Sequence, residues 1–468
     1  MWLLAWAGLV ASSALVLVWA GTRPGYDPYG WLVWGYQTLH LSLNLGGAPS
    51  WKPLPFLFTL PYALAGGLEL WLWMVTAVSI SLAGCVFAGR IAYRVTRNQP
   101  SIQKPAAPGA RHAPITAAIV AGVAVLGIHD YVHYILSVQS DTMIVTFCLA
   151  AIDMCLCRRY RWALACVVLG SLGRPEVWPF LCLYTIWAWF KVPEMRGMLV
   201  AALVLVAAMW FGVPWITNGR PDVAGQLAMN TPAVLHHGQV AGTLRYFVRL
   251  QELPLWIAAL VAVLIGLRRG YRAVLILAGA VVLWMVVEIV LALGGFPVLP
   301  RFMFEAAAVA TVLAGIGIGL LVTELPTLGR ALPRWSGIAI AAILTLALAP
   351  EAVARIGAEH SDLQSERTRS QEIRLLQATI NAFGGYRAIR ACGEPVTDVA
   401  YASALAWLTH LDVGHVGYKP GREIQSGYPV VVFKPASGDG WKVRPWHLYS
   451  AQRASCSNLR ASYLISER

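Results

Sequence analysis

The chain is a series of apolar runs, and their number and length constrain its fold more than any other feature. Separated by charge or by Pro/Gly clusters, they fall near 2–20, 68–89, 114–128, 141–157, 162–172, 177–190, 197–216, 254–267, 273–293, 303–322 and 336–350. A bilayer core takes about 20 apolar residues of helix. The runs 162–172 and 177–190 are shorter than this, and together they can form one broken hairpin. Only 13% of the 468 residues are charged, against about 25% in a soluble domain. The expected class is an α-helical polytopic membrane protein with about 11 transmembrane helices. No Lys or Arg precedes the first run, unlike a signal peptide, so it is read as a retained first helix.

Charge sets the expected topology. Alternate loops carry Arg90, Arg94, Arg97, Lys104 and Arg111, then Arg158, Arg159 and Arg161, then Lys191 and Arg196, then Arg268, Arg269 and Arg272, then Arg330 and Arg334. The opposite loops hold Arg23, Lys52, Arg174, Arg220, Arg245, Arg249 and Arg301. The positive-inside rule places the richer set and the N-terminus in the cytoplasm of a multi-pass plasma-membrane protein. Asp27, Asp130, Asp141, Glu176, Asp222 and Glu252 then lie in or beside outer loops. The net charge of +13 reads as this topology signal, with no nucleic-acid partner.

The membrane part spans 1–350, with a long first outer loop at 21–67. From 351 the composition changes: residues 351–468 hold 11 of the 23 acids and 14 of the 36 basic residues. Leu363, Ile373, Leu375, Leu376 and Ile380 give helical spacing over 351–383. Strands are expected over 396–401 and 428–433, with a helix over 402–410 between them. This is a small extracytoplasmic α/β domain on a helical stalk. Cys392 and Cys456 are expected to pair there as a disulfide. The other six cysteines read as packing residues.

Several polar groups sit where an apolar chain has little structural use for them. Asp27 follows the first run in Gly25-Tyr26-Asp27-Pro28, either as a helix cap or as a functional acid. The aromatics of 21–67 predict one or two helices along the bilayer surface, which leaves Asp27, His40 and Lys52 unexplained. His129-Asp130-Tyr131-Val132-His133 puts two histidines at i and i+4, as metal ligands or as interfacial residues. Asp141 is either a cap or a site residue. Gly173-Arg174-Pro175-Glu176 holds either a structural ion pair or cavity-lining charges. Arg301, in Pro300-Arg301-Phe302, either snorkels to lipid headgroups or grips a phosphate. Glu288 and Glu305 are its partners or line a cavity.

In order and sidedness these motifs resemble the GT-C superfamily of integral membrane glycosyltransferases, particularly actinobacterial members. An acid follows the first span. Trp51-Lys52-Pro53-Leu54-Pro55 is similar to the Lys-Pro-Pro-Leu stretch of lipid-A aminoarabinose and protein mannosyl transferases, with the order altered. Arg174-Pro175-Glu176 and Pro300-Arg301-Phe302 resemble an Arg-Pro-Glu segment and an Arg-Tyr segment of the family. A C-terminal extracytoplasmic domain also suits it. The resemblance implies transfer of a hexose or pentose, with inversion, from a polyprenyl-phosphate sugar to a glycan, lipid or protein acceptor. Asp27 would be the catalytic base, and Lys52, Arg174 and Arg301 would hold the donor phosphate. Asp130, Asp141, Glu176, His129 and His133 would orient the acceptor or a divalent cation, Mg or Mn. Membrane lipids are the surrounding partners. A lipid or solute transporter and a non-catalytic envelope scaffold are the alternative readings.

Overall fold

Each apolar run becomes helix. In chain order these are α1 (Trp2–Ala20), α2 (Tyr26–Leu39), α3 (Pro53–Ala63), α4 (Glu69–Arg97), α5 (Ala113–Leu126), α6 (Tyr131–Leu136), α7 (Asp141–Leu156), α8 (Tyr160–Gly173) and α9 (Trp178–Lys191). They continue with α10 (Arg196–Ala207), α11 (Val213–Asn218), α12 (Val223–Met229), α13 (Gln239–Arg249), α14 (Leu253–Arg269), α15 (Arg272–Leu293), α16 (Phe304–Leu328), α17 (Ser336–Leu346) and α18 (Ala349–Ala382). This computed structural model describes residues 2–47, 49–100, 110–229, 237–328, 333, 335–436, 440–453, 456 and 463–464. Lys104, Arg330 and Arg334 lie outside the described residues.

Among the described residues, six helical stretches are long and apolar enough to cross a membrane, and seven if the bent pair α13–α14 counts as one. The protein is therefore multi-pass, with fewer full crossings by length than the eleven expected. The two short runs form separate helices, α8 and α9, broken by a turn at Pro175–Val177. At 1.5 Å per residue, each reaches about 21 Å, short of the bilayer core.

The centre of the bundle is α16, whose spanning window is wholly buried by protein. Its sequence makes this possible. A methyl at Gly315 would lie 2.5 Å from the Ala117 carbonyl oxygen of α5, and one at Gly317 would lie 1.9 Å from that of Ala258 in α14. Small residues thus let neighbouring backbones approach on two sides, the usual way to pack helices where lipid removes the hydrophobic drive. Gly317→Ala is expected to push α14 off α16 and destabilise the bundle by about 1–3 kcal/mol. Thermal unfolding in detergent measures this, and an unchanged midpoint would contradict the packing.

The first loop differs from its expected surface placement. It forms two helices, but α2 is buried on most sides, including Tyr29, Trp31, Leu32, Val33 and Trp34. The rings of Trp34, Trp51 and Phe56 pack in succession, with centroids 5.1 and 5.2 Å apart. Its opposite side meets the C-terminal segment, where Tyr29 packs on Trp407 at 5.6 Å. The aromatics serve a protein interface there, rather than headgroups alone.

The 34-residue α18 extends for about 51 Å and ties this segment down. Arg367 donates to the carbonyls of Ala20 and Trp19, and Arg369 to that of Pro24. Cations thus close the C-terminal carbonyls of α1, where the helix dipole favours them. After α18 come α19 (Tyr386–Cys392), β1 (Glu394–Val396), α20 (Val399–Thr409), β2 (Val430–Pro435), β3 (Gly440–Trp446) and β4 (Tyr463–Leu464). The sheet order is β1-β2-β3-β4. The first pair is parallel, with α20 in the crossover, and the others are antiparallel.

The strand expected over 396–401 is therefore mostly helix. β1 stops at Val396, and Asp398 takes the N-cap position of the alanine-rich α20, whose composition favours helix. The antiparallel partner β3 was not anticipated. Trp441 is fully buried and its indole N–H donates to the Glu372 carbonyl at 2.7 Å, docking the sheet on α18. Cys392 and Cys456 are disulfide-bonded across 64 residues. Closing a loop of that length is worth about 4 kcal/mol. The Cys392→Ser/Cys456→Ser variant is expected to unfold its C-terminal segment at lower temperature, measurable by hydrogen exchange over β2 and β3.

Candidate active site

Four charged residues of separate segments each adjoin a proline, and the prolines place them. Pro53 opens α3 and Lys52 before it is extended, at φ −138° and ψ 112°. Arg174 precedes Pro175 and is likewise extended, at φ −151° and ψ 138°. Proline disfavours the helical conformation in the residue before it. Both side chains therefore leave the helix axis. Pro300 begins a short 3-10 turn that carries Arg301 to the start of α16. Pro28 sits in the first turn of α2 directly after Asp27, where its missing N–H costs nothing.

These segments converge. Asp27 Oδ2 lies 3.7 Å from Arg301 Nη1, and the two side chains are 19% and 22% exposed. Asp141 opens α7 and is fully buried. Arg174 hydrogen-bonds its Oδ1, and Lys52 Nζ stands 3.9 Å from the same atom. Arg174 also lies 3.7 Å from Glu176 and 3.9 Å from Glu305. Aromatic faces back the cations: Phe302 lies 4.3 Å under Arg174 and 5.6 Å from Arg301. Tyr134 is 5.7 Å from Arg301, and Trp31 is 5.7 Å from Lys52.

Asp27 is not a helix cap. The N-cap of α2 is Gly25, without a side-chain hydrogen bond. Gly25 donates to the Ser137 carbonyl at 2.9 Å, and a methyl on it would lie 2.4 Å from Gln139 Nε2. That close approach pins the start of α2 to the loop before Asp141. Among the described residues, Arg301 is the charged partner of Asp27.

The cations divide into two kinds. Arg174, 2% exposed, is surrounded by Asp141, Glu176 and Glu305. Its charge is absorbed inside the protein. Arg301 Nε and Lys52 Nζ, and Arg174 Nε as well, are buried without a hydrogen-bond partner among the described residues, which costs free energy unless an acceptor is supplied; Arg174 differs in having three carboxylates around it. A group with several anionic oxygens between Lys52 and Arg301, beside Asp27, would supply one. Glu305 stands by Arg174, whereas its expected partner was Arg301.

His129, Asp130 and His133 are not brought to this cluster. His129 Nδ1 meets Asp130 Oδ1 at 2.7 Å, with both side chains more than half exposed. Their hydrogen bond raises the His129 pKa and lowers that of Asp130. Asp130 takes a left-handed φ of 62° at the start of α6. His133 pairs with Asp362 of α18 at 2.9 Å, so its role here is to fasten the loop to the stalk. Among the described residues, no group of three or more His, Cys, Asp or Glu could hold a metal ion. Phe302 and Tyr134 were missed as site residues. Phe302 adjoins Arg301 in sequence, but Tyr134 gives no local signal.

The helical bundle, its two first-loop helices and its small C-terminal sheet define a membrane protein of GT-C-like fold. ArnT from Cupriavidus metallidurans has the same fold. Its apo crystal structure aligns over 98% of this chain and 95% of its own, with a TM-score of 0.53 and 12% identity. Its crystal structure bound to undecaprenyl phosphate aligns over 100% and 96%, with a TM-score of 0.52 and 13% identity. No protein-family model and no curated protein matches the sequence.

Proposed function

We propose that this protein is an inverting glycosyltransferase that moves a sugar from a polyprenyl-phosphate donor to an acceptor hydroxyl at the outer face of the plasma membrane. One observation carries the reading: a partly exposed carboxylate, Asp27, stands 3.7 Å from Arg301, while Lys52 Nζ and Arg301 Nε have no hydrogen-bond partner among the described residues. The fold shared with an ArnT structure bound to undecaprenyl phosphate supports a lipid-phosphate ligand.

The chemistry follows from charge. The acceptor hydroxyl attacks the anomeric carbon from the face opposite the phosphate, and Asp27 takes its proton as general base. The bond from that carbon to the phosphate oxygen breaks, and polyprenyl phosphate departs with the electron pair. Lys52 and Arg301 hold the growing negative charge, a geometry that stabilises the transition state more than the ground state. Arg174 acts one step back: it neutralises Asp141, which in turn positions Lys52.

Membranes containing the protein, supplied with labelled polyprenyl-phosphate mannose, arabinose, glucose or galactose, should form a new glycosidic bond from one donor. Arg301→Gln should slow that reaction by about 10²–10³-fold. Movement of the lipid across the bilayer without any new glycosidic bond would replace this reading with a transporter.

A further inference from the structure

The helix that carries Asp141 at its start carries a second buried acid near its end. Asp153 lies 12 residues on, about 18 Å along α7, and is fully buried. It holds two arginines of α4. Arg90 Nε donates to its Oδ2 at 3.0 Å, and Arg94 Nε to its Oδ1 at 2.9 Å. Arg97, one turn further on α4, lies over the Tyr93 ring at 5.8 Å. Two guanidiniums thus share one carboxylate, and Arg97 adds a third positive charge one turn on.

These residues border a cavity of about 1010 Å³. Tyr93, Arg94, Arg97 and Asn98 form its polar part, while Val86 and Ile119 contribute apolar walls. Val86 and Ile119 are 53% and 61% exposed. On α4 the polar residues follow Val86 by seven to twelve positions, about 10–18 Å along the axis. The cavity therefore runs from apolar helix surface to a cationic end, the profile of a phospholipid lying against a span. Snorkelling alone would let each arginine extend to water. Here Asp153 fixes two of them, and cations beside a helix C-terminus are favoured there.

We propose that this cavity, between α4 and α5, is a binding site for one anionic phospholipid. Its phosphate is held by Arg94 and Arg97, and an acyl chain lies along Val86 and Ile119. The site is separate from the Asp27 cluster and does not depend on the reaction assigned to it.

Native mass spectrometry of the full chain in neutral detergent tests this with dioleoylphosphatidylglycerol and dioleoylphosphatidylcholine. The wild type should retain one phosphatidylglycerol in preference to phosphatidylcholine. Arg97→Gln should weaken retention about fivefold, and Arg97→Lys should restore most of it. Ile119→Trp, which fills the apolar wall, should weaken it as well. It decides the matter by the same reading should Arg97→Gln fail to fold. Equal retention of both lipids, or retention unchanged in Arg97→Gln and Ile119→Trp, would overturn the proposal. Displacement of the lipid by millimolar glycerol 3-phosphate or inorganic phosphate would overturn it too, by marking a site for soluble phosphate.

Discussion

Asp27→Asn should lower sugar transfer by about 10²–10⁴-fold, the contribution of a positioned general base, while leaving polyprenyl-phosphate binding within a few-fold. The substitution keeps the shape of the side chain and removes its capacity to accept a proton. The fold should survive it, because the cap of α2 is Gly25 and not Asp27. Lys52 and Arg301, the groups assigned to the phosphate, remain. A single-turnover assay beside a lipid-binding assay separates the two effects. Transfer at the wild-type rate would remove Asp27 from the chemistry. Loss of binding together with transfer would make Asp27 a positioning residue for Arg301.

The second large effect concerns stability. Arg174→Met is expected to cost about 3–5 kcal/mol, the usual result of removing one partner from buried charges. Asp141, Glu176 and Glu305 surround Arg174, and Asp141 and Glu305 are almost wholly buried. Without the guanidinium these acids are left without their shared cation. The double variant Arg174→Met/Asp141→Leu should recover part of the loss, since replacing a whole buried pair by apolar groups is often neutral. Detergent unfolding of the four proteins gives the coupling. If Arg174→Met melts like the wild type but binds lipid phosphate more weakly, Arg174 belongs with Lys52 and Arg301 at the ligand.

Much of this was legible in the chain. The apolar runs found the membrane helices because burial in lipid leaves a long, local signature. Asp27, Lys52, Asp141, Arg174, Glu176 and Arg301 stood out because charge beside apolar helix is costly and therefore rare. The structure gathers them from distant parts of the chain. Apart from Asp141, which opens α7, each adjoins a proline at or near a helix start, so the side chain falls at a helix end. His129 and His133 do not share the helix face that i,i+4 spacing suggests, because α6 begins only at Tyr131, after the left-handed Asp130. His133 alone meets α18.

The C-terminal sheet was harder to read for a related reason. Short strands take their identity from partners far along the chain. β3 carries an alternation, with Trp441 and Val443 buried and Lys442 and Arg444 exposed. That pattern was available, but only pairing with β2 gives it meaning. Val396 to Tyr401 is β-rich in composition at its start, yet the helix propensity of the alanines that follow prevails from Val399. Nothing local marks Tyr134 or Trp31 as backing rings for cations, because that role exists only once α2, α6 and the Pro300 turn are packed together.

A cryo-electron microscopy structure of the full chain with undecaprenyl phosphate tests the assigned roles at once. The phosphate is expected between Lys52 and Arg301, within about 3 Å of their nitrogens, with Asp27 beside the sugar position. Phosphate density elsewhere, with Lys52 and Arg301 facing only protein, would contradict those roles.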